Sequence, residues 1–323
     1  MSTARSFSFR WVVGAGFVVF ALVPLIANPY QLYVANLMLV YMLLAVGLNF
    51  LIGYAGQLAF ANGAMFGIGA YGTGLLMLDH QWPLALALPV GTLITTLIGI
   101  VIALPALRLR GLYLALATVA FAQFALWTFI HWDGLTYGAA GFVMPRVDFG
   151  VIGLDKSLGI YYVSFTVTVL MLWLGWNLVR SRVGRAFVAI RESEVAAESV
   201  AVDVTLTKTI AFAISALYAG CAGGLFAVLL GVVVPEQFNL FQVVLQFCMV
   251  VVGGLGSFWG SVVGAILLVW LPEAMRGLQE LLEIGFGALL LGALLLFPGG
   301  IAAAVRKIFP HWREPLRRTM DDR

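Results

Sequence analysis

Residues 31–52 read QLYVANLMLVYMLLAVGLNFLI, an apolar run that contains no Asp, Glu, Lys or Arg. A helix needs roughly 20 apolar residues to cross the ~30 Å hydrocarbon core of a bilayer. The run has that length, and its lack of charge fits a segment for which burial of an ionised side chain in lipid would be costly. We therefore predict that residues 31–52 form a transmembrane helix.

Runs of this kind recur along most of the chain. Of the 323 residues, 62% are hydrophobic and 10% are charged, whereas soluble domains have roughly 45–50% and about 25%. The apolar runs, separated by polar breaks, lie at 11–27, 31–52, 58–78, 83–107, 111–131, 160–179, 209–231, 240–252, 257–271 and 281–297. They predict an all-α, polytopic membrane bundle of about ten transmembrane helices. We expect residues 1–310 to form one membrane domain and residues 311–323 a basic tail.

The positions of the basic residues predict the topology. With a cytoplasmic N-terminus and one crossing per run, the cytoplasmic side receives all of the 18 Lys and Arg residues except Arg146, Lys156 and Arg276. This is the positive-inside bias of membrane proteins. A single crossing over 240–271 would place the basic tail outside, so we predict two segments there, split at 253–256. The number of crossings is then even, and both termini are cytoplasmic.

Two glycine-interrupted segments lie 200 positions apart. Residues 49–57 read NFLIGYAGQ and residues 249–257 read MVVVGGLGS, with the same order of apolar run, glycine pair and polar residue. Transporters use such interrupted helices in corresponding halves to expose backbone groups to a substrate route. Close helix packing through glycine explains the pattern equally well. The candidate helix-break residues are Gly53, Gly56, Gly253, Gly254 and Gly256.

A small set of polar side chains lies within the apolar runs. Such groups either line a transport pathway or bond neighbouring helices, at about 0.6 kcal/mol per bond. Gln242 and Gln246 are four residues apart and therefore share one face of a helix. The candidate pathway residues are Asn49, Gln57, Asn62, Thr118, Gln123, Gln242 and Gln246.

The sequence offers no motif for catalysis or energy conversion. No charged residue lies near the middle of an apolar run, although proton-coupled carriers usually need a titratable group there. The phosphate-binding motif G-x-x-x-x-G-K-[ST] and the metal motif H-E-x-x-H are both absent. We therefore assign no catalytic or metal-binding residue, expect no cofactor in this chain, and expect the energy source to be another protein. The scattered basic residues give no support for nucleic-acid binding.

Residues 180–208 form the one long cytoplasmic break under this topology. They read RSRVGRAFVAIRESEVAAESVAVDVTLTK, and their Ala, Arg and Glu content predicts a short surface helix from 184 to 200. Its partial apolar face consists of Phe187, Ile190, Val195 and Ala197. The charged side chains that we expect in water are Arg191, Glu192, Glu194 and Glu198.

Four stretches together resemble the permease subunits of branched-chain amino acid importers, the Liv-type family. They are GLNFLIGYAGQLAFANGAMFGIGAYG at 47–72, LYLALATVAFAQ at 112–123, GRAFVAIRESEVAAES at 184–199 and GGLGSFWGSVVGA at 253–265. The resemblance implies the permease of an ATP-driven (ABC) importer in the bacterial cytoplasmic membrane. Relatives of this family carry urea, short amides or other amino acids. A self-sufficient secondary carrier or channel is the competing class.

The resemblance also implies partners for this chain. These are a second permease subunit, two ATP-binding subunits that hold the ATP, an extracytoplasmic solute-binding protein and the surrounding membrane lipid. The ATP-binding subunits would dock on the loop at 180–208. The implied coupling residues are Gly184, Arg185, Arg191, Glu192, Glu194 and Glu198. The sequence departs from the family pattern at Ala201, where a glycine is common after this helix.

Overall fold

The computed structural model describes residues 16, 19–24, 27–106, 109, 111–147, 155–274 and 300–303. The described helices are α1 (Pro29–Asn49), α2 (Asn62–Leu78), α3 (Leu84–Ala106), α4 (Leu112–His131), α5 (Asp133–Thr136), α6 (Lys156–Arg180), α7 (Arg182–Glu192), α8 (Glu194–Ser199), α9 (Val204–Leu230), α10 (Leu240–Gly253) and α11 (Phe258–Ala274). A π-helical turn, Phe50–Tyr54, extends α1, and 3-10 turns occupy Gly138–Ala140 and Pro235–Phe238. There are also two short strands, β1 (Phe142–Val143) and β2 (Val232–Val233).

Six helical segments in the described ranges are long and apolar enough to cross a membrane. They are α1 with its π turn, α3, α4, α6, α9, and α10 with the 3-10 turn before it. Helices α2 and α11 have 17 residues each. The predicted run 281–297, most of the run 11–27 and the tail 311–323 lie outside the described residues. The all-α membrane bundle is supported, whereas the predicted count of about ten crossings is not confirmed.

Helices α1 and α9 form the centre of the bundle. The most apolar stretch of α1 with its π turn is 89% buried within the protein and that of α9 is 72% buried, whereas those of α3 and α4 are each 28% buried. A helix that is apolar all round and buried is a core helix. Small residues let α9 pack closely on α2, because a Cβ at Gly69 would lie 2.3 Å from the Gly220 oxygen. Glycine at such contacts permits direct backbone approach.

The run 240–271 forms two helices, as predicted. Helices α10 and α11 pack antiparallel, with Gly253 against Gly260 and Gly264 against the Met249 carbonyl. The intervening residues include glycines with φ of 115° at 254 and 71° at 256, which only glycine adopts readily. The glycine cluster therefore ends one helix and reverses the chain before the next begins.

The contacts between helix ends show which of them lie together at each of the two ends of the bundle. At the end that we call the loop end, α7 packs beside the π turn and the α10–α11 turn, and α8 packs against α7 and α9. At the opposite end, the ribbon end, β1 and β2 form a two-residue antiparallel ribbon, which the all-α prediction did not include. There Tyr137 donates a hydrogen bond to Asp79 at 2.7 Å, and the Tyr30 hydroxyl bonds to Glu273. Successive long helices thus run in alternate directions, which one crossing per helix requires.

Candidate functional site

The two predicted helix breaks meet at the loop end. The Asn49 side chain donates to the Ser257 carbonyl at 2.9 Å and accepts a hydrogen bond from the Gly256 amide at 2.9 Å. A Cβ at Gly53 would lie 2.5 Å from the Gly256 nitrogen and 1.8 Å from Asn49 Oδ1. We call this set, consisting of Asn49, Gly53, Gly256 and Ser257, the junction. It joins segments that the sequence separates by about 200 residues.

Local chemistry explains why both helices end at the junction. The π turn loosens the end of α1, and single π turns are frequent at functional sites. Gly56 then adopts φ of 69°, and an unwound segment, residues 55–61, follows. On the other side, Ser257 caps α11 because its hydroxyl accepts from the Gly260 amide at 3.0 Å. Serine is a preferred N-cap, so Ser257 is itself a sequence signal for the start of α11.

Arg191, at the end of α7, reaches the junction from the loop. Its Nη1 donates to the Gly53 carbonyl at 2.5 Å. A Cβ at Gly256 would lie 2.7 Å from the same nitrogen, and a Cβ at Gly56 would lie 3.0 Å from Arg191 Cγ. A cation at the C-terminal end of a helix interacts favourably with the free carbonyls there. The guanidinium therefore touches both helix breaks at positions where glycine leaves the space for it.

The remaining predicted coupling residues divide into two groups. Gly184 is buried in the first turn of α7, where a Cβ would lie 2.3 Å from the Val179 oxygen. Glu194 forms an ion pair with Lys208 of α9 at 2.5 Å. These residues hold the loop to the bundle. The second group is exposed, as Arg191 also is, and consists of Arg185, Glu192 and Glu198.

The loop contains two helices rather than the single helix that we predicted. Ser193 is extended, with φ of −164° and ψ of 119°, and its hydroxyl caps α8 by accepting from the Ala196 amide at 3.3 Å. Because of this break, α7 and α8 do not follow one continuous helical repeat. Phe187, Ile190 and Ala197 are buried as expected. Val195 was predicted on the apolar face and is instead 77% exposed, because it belongs to the second helix.

Three polar side chains form a buried network in the middle of the bundle. Asn62 Nδ2 donates to Gln246 Oε1 at 2.8 Å, and the Ser215 hydroxyl donates to Asn62 Oδ1 at 3.1 Å. One helical turn away on the same buried face of α10, Gln242 donates to the Tyr41 hydroxyl at 2.7 Å. Tyr41 was missed because a tyrosine within an apolar run carries no separate signal. The network bonds α2, α9 and α10 to one another.

The other pathway candidates lie apart from this network. Thr118 accepts a hydrogen bond from the Phe60 amide at 2.9 Å and so fixes the unwound segment to α4. Gln57 is buried in that segment, and its Nε2 has no hydrogen-bond partner, as is also the case for Gln246 Nε2. Gln123 is exposed on α4, and Asn49 belongs to the junction. The seven candidates thus occupy several places rather than a single channel.

The fold and the junction define a class of protein: a multi-pass membrane protein with two interrupted helices that meet. The family model for the permease component of branched-chain amino acid transport systems matches residues 30–298. The chain belongs to that family of permease components.

Individual relatives agree with the family match. The high-affinity branched-chain amino acid transport system permease protein LivM of Escherichia coli (strain K12) is 32% identical over 321 residues, which cover 90% of this chain and 75% of the relative. LivH of the same strain, which carries the same description, is 26% identical over 81% of this chain and 90% of its own length. The autoinducer 2 import system permease protein LsrC of Enterobacter sp. (strain 638) is 27% identical over 66% of this chain and 62% of the relative. No solved structure matches the chain.

Proposed function

We propose that this chain is the membrane permease of an ATP-driven importer of branched-chain amino acids in the bacterial cytoplasmic membrane. The observation that carries the proposal is the LivM similarity, 32% identity over 90% of the chain. The absence of a phosphate-binding motif in the sequence supports a division of labour in which separate subunits bind and hydrolyse ATP. On this proposal the chain has no ATPase site and no cofactor of its own.

The exposed face of α7 and α8 is the proposed docking surface for the ATP-binding subunits. It combines the exposed charges of Arg185, Glu192 and Glu198 with two apolar side chains, Val195 and Val200, which are 77% and 70% exposed. This face lies outside the candidate spans, so its valines would meet water in the isolated chain. Exposed apolar groups among charges are typical of protein interfaces, and the charges would fix the orientation of the partner.

A second permease subunit and an extracytoplasmic solute-binding protein complete the proposed importer. We propose that the pathway forms where the unwound segment and the Asn62 network come to face the second permease during the cycle. Irregular backbone at membrane depth is tolerated where it is buried in protein or lines a cavity. The unpartnered amide nitrogens of Gln57 and Gln246 support this proposal, because a substrate carboxylate would accept hydrogen bonds from such groups.

The function is tested with the complete importer in liposomes. We expect ATP-dependent uptake of labelled leucine, isoleucine and valine, in the presence of the binding protein, with little competition from urea or acetamide. Replacement of Gln57 by Leu should reduce uptake at unchanged assembly, whereas Gln123→Leu, on the exposed face of α4, should not. Uptake by the purified chain alone would show a self-sufficient carrier, and strong competition by urea would show a different substrate class.

A further inference from the structure

One side chain of the loop, Arg191, bonds directly to the junction where the two helix breaks meet. Glu194 links α8 to Lys208, which belongs to the continuous helix α9. Phe187 and Ile190 anchor α7 by apolar burial. Among the charged side chains of α7, which the structure describes in full, Arg191 is the one that bonds to the junction.

We propose that Arg191 is the positioning residue that makes the loop and the junction move as one unit, so that force from ATP hydrolysis reaches both helix breaks through its guanidinium. This inference rests on the proposed function. Its geometry is specific: one nitrogen donates to the Gly53 carbonyl in the π turn and lies beside Gly256 of the α10–α11 turn. Asn49 then holds the two breaks together through two further hydrogen bonds.

The arrangement is suited to carry a displacement of the loop to the two helix breaks, because the interrupted helices and the continuous helix α9 differ in stiffness. A helix that ends in a π turn and an unwound segment bends more easily than a continuous helix. Helix α9 is continuous over 27 residues and gives the loop a fixed support. Displacement of α7 would therefore be taken up at the two breaks, which lie between rigid helices. Arginine suits this position because its planar group presents several donors in a fixed geometry.

The first test compares Arg191→Ala, Arg191→Lys and Arg182→Ala in the reconstituted importer. Arg182 is exposed at the opposite end of α7, so its replacement removes the same charge from the same helix. The readout is the number of substrate molecules imported per ATP hydrolysed. We expect Arg191→Ala to lower this ratio by about tenfold, the factor that corresponds to the loss of one charge-assisted hydrogen bond. Arg191→Lys should restore part of the ratio, and Arg182→Ala should leave it unchanged.

The second test does not depend on the substrate. Spin labels are attached at two exposed positions, Leu58 in the unwound segment and Ala196 in α8. They are introduced into the full chain with Cys221 and Cys248 replaced by alanine. A fixed connection predicts a narrow distance distribution in the chain that retains Arg191 and a broad one in Arg191→Ala.

The outcomes separate this inference from the proposed function. If the unaltered importer takes up leucine while Arg191→Ala keeps a full import ratio, the inference is wrong and the proposed function stands. If the unaltered importer carries no branched-chain amino acid, the proposed function is wrong. The label distances then decide alone, and an unchanged distribution in Arg191→Ala would overturn the inference in that case too.

Discussion

Ala201 is a residue whose backbone conformation conflicts with its side chain. It has φ of 60° and follows α8, in the region where a Cβ crowds the following carbonyl oxygen at a cost of roughly 1–2 kcal/mol. This is the position where we noted that the family commonly has glycine. We predict that Ala201→Gly stabilises the chain by about 0.5–1 kcal/mol, because the relieved strain exceeds the added entropy of the unfolded glycine.

The control for Ala201→Gly lies a few residues away. Ala196 is exposed within α8, where glycine should destabilise a helix by about 0.5–1 kcal/mol. Thermal unfolding of both purified variants in detergent measures the two effects. Equal changes in Tm of the two variants would show that glycine acts through general flexibility rather than through the left-handed backbone of Ala201.

The Asn62 network gives a second prediction at the scale of residues. Asn62→Leu leaves the Gln246 and Ser215 side chains without their partner in a buried site, which should cost about 1–3 kcal/mol. The double variant Asn62→Leu, Gln246→Leu should recover part of this loss, because fewer polar groups are then left unsatisfied. The exposed Gln123→Leu should stay within about 0.5 kcal/mol. Unfolding free energies in mixed micelles measure all three, and strictly additive losses in the double variant would contradict the network.

The sequence indicated which polar residues lie inside the bundle, but not which of them bond to one another. Polar side chains in apolar runs identified Asn62 and Gln246, and the shared face of Gln242 and Gln246 is confirmed by the burial of both. The bond between Asn62 and Gln246 joins positions 184 residues apart. No local pattern encodes such a pair, because it depends on how α2 and α10 cross in the folded bundle.

At the scale of elements, glycine decides where helices end and how closely they meet. We predict that Gly53→Ala separates the two breaks, since its Cβ would overlap both Asn49 and the Gly256 backbone. Overpacking of this kind costs about 1–3 kcal/mol. Uptake by the reconstituted importer should fall sharply, and the chain should melt at a lower temperature.

Gly134→Ala is the matched control for this substitution. Gly134 lies in α5, has no atom within 4 Å of an added Cβ, and has no positive φ. Its replacement should leave both uptake and melting temperature unchanged. Normal uptake by Gly53→Ala at normal expression would mean that the breaks need not touch during transport.

The elements also show where sequence patterns were sufficient. The apolar runs predicted the long described helices with shifts of a few residues, and the basic residues predicted the split within 240–271. The break of the loop at Ser193 was missed, since Ala and Glu on both sides favour a continuous helix. A serine followed by Glu, Val and Ala is an N-cap pattern, and it determines the start of α8 against that propensity.

At the scale of the whole molecule, the alternation of the helices predicts the sides on which exposed residues lie. We expect an impermeant thiol reagent to label a cysteine at Val143, on the ribbon end, in intact cells. Cysteines at Ala196, on the loop end, and at positions 5 and 318, near the termini, should react only after the membrane is opened. Val143 is 71% exposed, so low accessibility does not limit its reaction.

These labelling results would test the positive-inside argument directly. Labelling at position 5 or 318 in intact cells would mean that the termini are not both cytoplasmic. Labelling at 196 but not at 143 would mean that the whole bundle is inverted. The native Cys221 and Cys248, which are buried and partly buried, are replaced beforehand so that only the introduced thiols report.

The burial of α1 has a consequence for the synthesis of the protein. Its closest partners include α9 and α11, and the groups that bond Asn49 lie more than 200 residues later in the chain. At a translation rate of roughly 5–20 residues per second, those partners emerge about 10–40 seconds after Asn49. During that interval the Asn49 amide, at the loop end of α1, lacks the two groups that bond it in the folded protein. We therefore expect α1 to reach its final packing only after residues 256 and 257 have been synthesised and inserted.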